Sequence, residues 1–144
     1  MMGHEILIYN KTRRRIPEKF IKDVILKALR FLKLKQPVEL AVLIVSEKEI
    51  ARINKVWRRK NKPVDELSFG LNSHKSVEFA KGDIGMLNLG EIVLNVLKIS
   101  DKDYLSQILV HSLLHLLGYH HEKSTIQVEK MEKLEEKILK HLKI

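Results

Sequence analysis

The sequence predicts an α+β domain: a central mixed β-sheet of about four strands with helices packed on it, and a metal site on a central helix of the C-terminal half. Three observations predict it. Strand-like segments, alternating or short and apolar, interleave with helical periodicities in the order β-α-β-α-β-β-α-α, which favours a mixed sheet over a doubly wound one because alternation is not maintained throughout. One segment, 102–117, is apolar on nearly every side and therefore belongs at the centre of the molecule. Finally, four of the seven histidines fall within residues 111–121. With no repeat, low-complexity block or obvious linker, residues 1–144 read as one domain, long enough to bury a core unaided.

HEILIYN (4–10) alternates and is rich in β-formers, so it reads as the first strand. From Pro17, favoured as a first helical residue, Phe20, Ile21, Val24, Ile25, Ala28, Leu29 and Leu32 recur at helical spacing, and the helix should end before Pro37. VELAVLIVS (38–46) reads as a buried strand. Ser46 and Glu49 form a capping box that opens a helix with Ile50, Ile53 and Trp57 turned inward. RRKNKPVDELSFGLN (58–72) is a basic turn leading into a short strand, SHKSVEFAKGD (73–83) a polar loop, and LGEIVLN (89–95) another strand. The apolar helix over about 102–117 is stopped by Gly118. A last helix carries Ile126, Met131, Leu134, Ile138 and Leu142 as its apolar stripe.

Twenty-seven Lys and Arg against 18 Asp and Glu give a formal charge of +9. This balance favours polyanionic partners such as nucleic acid, although a lysine-rich solvated surface has the same composition. There is no cysteine, so disulfides, thiolate metal sites and thiol catalysis are excluded, and any metal must be held by nitrogen and oxygen. No signal-peptide pattern and no run near the ~18 apolar residues of a membrane span is present, so the expected location is cytoplasmic, with no membrane partner.

His111 and His115 are four apart, which on a helix places two imidazoles one above the other for a single ion. Gly118 permits the chain to double back, so His121 can reach the same point in an H-x3-H-x5-H arrangement. His120 competes for that third position; spacing favours His121, leaving His120 to orient a ligand, touch substrate or carry protons. Three imidazoles without thiolate suit one zinc ion per chain, and leave a fourth position for water, the catalytic pattern. The spacing matches that of metzincin proteases, but their general-base glutamate after the first histidine is replaced by Ser112.

HSLLHLLGYHH (111–121) resembles the H-G-x-L-H-L-x-G-Y-D-H motif of the YbeY-type endoribonucleases, or rRNA maturation factors. INKVWRRKNKPVDELSF (53–69) is similar to that family's L-N-x-x-[YW]-R-x-K-D-K-P-T-D-V-L-S-F, LGEIVLN to its L-G-D-I-V-I-S, and Met131 with Glu135 to its M-x-x-x-E ending. Ser112 replaces glycine, His120 aspartate, Gly70 proline and Glu91 aspartate. The resemblance implies the α+β fold, one zinc ion on His111, His115 and His121, and action on single-stranded RNA. It further implies 3′-end maturation of small-subunit ribosomal RNA, ribosome quality control and contact with the small ribosomal subunit.

A phosphodiester transition state calls for a fixed cation besides the metal. Arg58, which matches the arginine of the [YW]-R motif, is the catalytic candidate, with His120 as a proton carrier. Arg59, Lys60, Lys62 and Ser68 are substrate-binding candidates. Glu91, Ser68 and His120 are all open as general base or acid. Trp57 and Phe69 have rings suited to base stacking, but core packing is the expectation for both. Two other readings stay open: a zinc hydrolase of another substrate class, such as a metallopeptidase-like enzyme, and a non-catalytic ribosome-associated factor with a structural metal.

Overall fold

The computed structural model describes residues 3–70, 86–119 and 125–143, apart from the side chains of 125–127. The polar stretch 73–83 expected as a loop lies outside that set. Strands β1 (Glu5–Asn10), β2 (Val38–Val45), β3 (Glu66–Gly70) and β4 (Leu87–Asn95) form one sheet in the order β1-β2-β4-β3. β1–β2 and β2–β4 are parallel and β3–β4 antiparallel, so the sheet is mixed, as the element order predicts. The helices are α1 (Glu18–Phe31), α2 (Glu47–Arg58), α3 (Lys102–Leu116) and α4 (Thr125–Leu142), with a 3-10 turn over Val96–Lys98.

Alternation along β2 and β4 gives the sheet two different faces. Leu40, Val42, Ile44, Ile92 and Leu94 meet Ile21, Ile25 and Leu29 of α1, Leu105, Leu109 and Leu113 of α3, and Met131 and Ile138 of α4 in the main core. The intervening residues Val45 and Val93, with Leu67 of β3, form a smaller core with Ile50 of α2. Three helices cover one face, while α2 is the one helix among the described elements that packs on the other.

Local signals act mostly as read. Asp101 caps α3 by accepting from the amides of Asp103 and Tyr104. Ser46 accepts from the Glu49 amide, but the Glu49 carboxylate turns to Arg52 at 2.7 Å rather than back to Ser46, so the capping box is half formed. Pro17 occupies the cap position and the first helix starts at Glu18, one residue later than expected. The inward placement of Trp57 does not hold: its side chain is 70% exposed. Helical spacing does put it on the side of Ile50 and Ile53, but the small core ends beneath Ile53 and Phe69.

Two glycines are required by geometry. Gly90 has φ +114, and a Cβ there would lie 2.0 Å from the Phe69 carbonyl oxygen, so β3 and β4 approach too closely for a side chain. Gly118 has φ +102 with open space around it, so backbone conformation alone demands glycine. Its amide bonds the His115 carbonyl and the Tyr119 amide bonds that of Leu114, a Schellman closure that ends α3 just after the second histidine.

Candidate metal centre

α3 is fixed by burial. Leu105, Leu109, Val110, Leu113, Leu114 and Leu116 anchor it in the main core, and positions 111 and 115, each next to one or two of these, are held half-buried at its margin. The His111 and His115 rings stand 4.9 Å apart between centroids at 55°, stacked along the helix as their spacing predicts.

Nδ1 of His111 lies 2.8 Å from Oε1 of Glu135 on α4. A carboxylate there favours the Nδ1–H tautomer and turns Nε2 outward, the orientation in which a histidine ligates metal. The Glu135 hydrogen bond holds the His111 pKa above the usual imidazole value against the opposing effect of burial, with Glu135 and Glu66 charges adding to it.

A second carboxylate comes from β3. Ser112, fully buried, donates its hydroxyl to Oε2 of Glu66 at 2.6 Å. Next to it, Asp65 accepts a hydrogen bond from the Tyr104 hydroxyl, which raises the Tyr104 pKa. These two contacts tie the start of β3 to α3. Ser68 pairs in register with Ile92, a main-core residue, so it lies on the α3 face of the sheet, two residues beyond Glu66.

The basic turn is built rather than loose. Buried Asn54 donates to the Lys62 carbonyl at 3.0 Å, and buried Asn95 donates to the Val64 carbonyl at 3.2 Å. Arg58 ends α2, and Arg59 follows in the left-handed conformation, φ +59, with its amide on the Lys55 carbonyl. Arg58, Arg59, Lys60 and Lys62 are all exposed. The fold therefore brings His111, His115, Glu135, Ser112 and Glu66 together and sets Ser68 on the same face. The turn is linked to them through the chain that runs from Lys62 into β3.

His120 and His121 lie outside the described residues. Among the described residues no group of three His, Cys, Asp or Glu side chains is spaced to hold a metal ion, and the expected third ligand is not in that set. Glu66 and Glu135 carry no metal-spacing signal in sequence. One trace was available: Glu66 stands where the motif quoted above has valine and Ser112 where it has glycine, so the two departures meet each other in space.

Comparison with known proteins bears on the same residues. The family model described as Endoribonuclease YbeY matches residues 7–143. The chain belongs to the YbeY endoribonuclease family. Proteins named Endoribonuclease YbeY from Bartonella quintana and Bartonella henselae are 37% and 36% identical to it. These matches cover 88% and 97% of this chain, and 85% of each relative. That of Thermodesulfovibrio yellowstonii is 38% identical over 81% of this chain and 76% of its own. The solution structure of TM1509 from Thermotoga maritima aligns with a TM-score of 0.56 at 24% identity, over 96% of this chain and 91% of that one, and shares the fold. The YbeY family match spans the histidine segment, the basic turn and β3 alike.

Proposed function

We propose that this YbeY-family chain is a zinc-dependent, single-strand-specific endoribonuclease that acts in the cytoplasm on ribosomal RNA of the small subunit, in 3′-end maturation and ribosome quality control. The observation that carries the proposal is the paired imidazoles of His111 and His115 with Glu135 on the inner nitrogen of the first. Neutral imidazoles, oriented by a carboxylate and free of thiolate, are a donor set that fits zinc. His111, His115 and His121 would hold the ion. When bound, it supplies acidified water near neutral pH and positive charge beside the phosphate.

The chain's own residues do the rest. Glu135 orients the first ligand. Arg58 neutralises the non-bridging phosphate oxygens, a role suited to an exposed guanidinium at the end of a helix. Arg59, Lys60 and Lys62 hold neighbouring phosphates, and the Ser68 hydroxyl on the α3 face serves as a hydrogen-bond partner for substrate. His120 carries a proton to the leaving oxygen. Ser112, at the place of the metzincin base, is buried and donates a hydrogen bond to Glu66, so that position offers no free base and favours the nuclease over a peptidase.

The test is cleavage of single-stranded ribosomal RNA fragments beside casein, with and without chelator, by wild type, His115→Ala and Arg58→Ala. The proposal expects chelator-sensitive RNA cleavage that His115→Ala lacks. It expects Arg58→Ala to lose at least about 100-fold in rate with metal content unchanged. RNA cleavage that survives in His115→Ala would refute it.

A further inference from the structure

Trp57 is the one tryptophan of the chain, and its ring is largely in solvent. An exposed indole forgoes one of the largest apolar burials available to a side chain, so its position calls for a partner. Its ring stands edge-on to Phe69, 6.0 Å between centroids at 62°. Beneath the pair, on the sheet face opposite α3, lies an open groove of about 560 Å³ lined by Ile53, Leu43, Val93 and Phe69, with Glu39 and Glu91 on its floor. Phe69 and Glu91 are cross-strand partners, so that carboxylate sits directly beside the aromatic pair.

Charge decides between occupants. Arg58, Arg59, Lys60 and Lys62 begin at the residue after Trp57 and are exposed, and buried Asn54 fixes the turn that carries them. A second copy of this chain would bring its own +9 charge to that rim, whereas a polyanion would be drawn to it. The carboxylates on the floor repel phosphates, so what the groove admits is the neutral, flat part of a nucleotide.

We propose that the Trp57–Phe69 groove seats an unpaired nucleobase of the RNA substrate, stacked on the indole, while the Arg58–Lys62 turn holds the flanking phosphates. This rests on the reading of the chain as a ribonuclease. The groove and Ser68 lie on opposite faces of β3, which stands at the edge of the sheet among the described strands. A bound RNA strand therefore crosses that edge between the base seat and the histidines.

Trp57 reports on its own site. The metal-loaded full chain is mixed by stopped flow with a single-stranded oligoribonucleotide, or with an abasic ribose-phosphate oligomer of equal length, and indole fluorescence is read before cleavage proceeds. Quenching by the base-bearing strand and little by the abasic one is expected. By fluorescence anisotropy of an end-labelled strand, since neither variant carries a tryptophan, Trp57→Ala should bind the base-bearing strand about tenfold more weakly, with Trp57→Phe recovering most of the loss and both variants folded by circular dichroism. Equal quenching by the two strands, or wild-type affinity in Trp57→Ala, overturns the proposal. So does a dimer formed without RNA that Trp57→Ala dissolves, since the groove would then belong to a second copy. If wild type fails to cut RNA but shows the base-dependent quenching, the nuclease reading falls and the base seat stands. If it cuts RNA and Trp57→Ala binds as wild type does, the base seat alone falls.

Discussion

Replacing Glu135 by alanine should weaken metal binding without unfolding the protein. The carboxylate bonds His111 at 2.8 Å, and the two side chains are 20% and 31% exposed, so the contact is only partly screened. A hydrogen bond to a charged group contributes about 1.5–3 kcal/mol. At about 1.4 kcal/mol per decade, its loss corresponds to roughly 10- to 100-fold weaker zinc, the range expected when an outer partner of a ligating histidine is removed. The pH dependence has a definite sign. Glu135 also raises the His111 pKa, so in wild type the proton competes with metal at mildly acidic pH. Removing Glu135 lowers that pKa and relieves the competition, so the variant's deficit should be smaller near about pH 6 than near about pH 8. Competition with a chromophoric chelator at both pH values measures it, with circular dichroism as the fold control. Affinity within twofold of wild type at the higher pH would refute the orienting role.

Ser112→Ala leaves the Glu66 carboxylate without its buried donor and should cost about 1–3 kcal/mol in urea unfolding, a penalty much reduced in the Ser112→Ala, Glu66→Val double variant. Gly90→Ala should destabilise by more than about 3 kcal/mol, or prevent folding, because its Cβ meets the Phe69 carbonyl; near-wild-type thermal unfolding would contradict the close strand contact. His4, whose Nδ1 accepts from the Val38 amide at 2.9 Å, has its pKa lowered by burial. Its contribution is present above the unfolded value of about 6.5 and lost as pH falls through the lowered folded value. The urea midpoint of wild type should therefore fall further on acidification than that of His4→Leu.

The parts of this molecule legible in its sequence are those governed by short spacing. Alternation placed the first strand and short apolar runs the buried ones, all-round apolarity placed α3 at the centre, and the four-residue step set His111 over His115. Gly118 signalled the Schellman stop. Long-range partners carry no such period: Glu135 reaches His111 across 24 residues and Glu66 reaches Ser112 across 46. The two asparagines that anchor the basic turn were equally silent, since a buried amide looks like any loop residue until its acceptors are known. Trp57 shows the limit from the other side. Periodicity fixes the direction a helix residue faces, but not whether the sheet extends far enough to bury it.

The account depends on three imidazoles sharing one divalent ion, and elemental analysis of the chain tests this most directly. Wild type and His120→Ala should each carry one equivalent of zinc per chain, while His115→Ala and His121→Ala should carry almost none after dialysis. One retained equivalent in His121→Ala, or its loss in His120→Ala alone, would contradict the assignment.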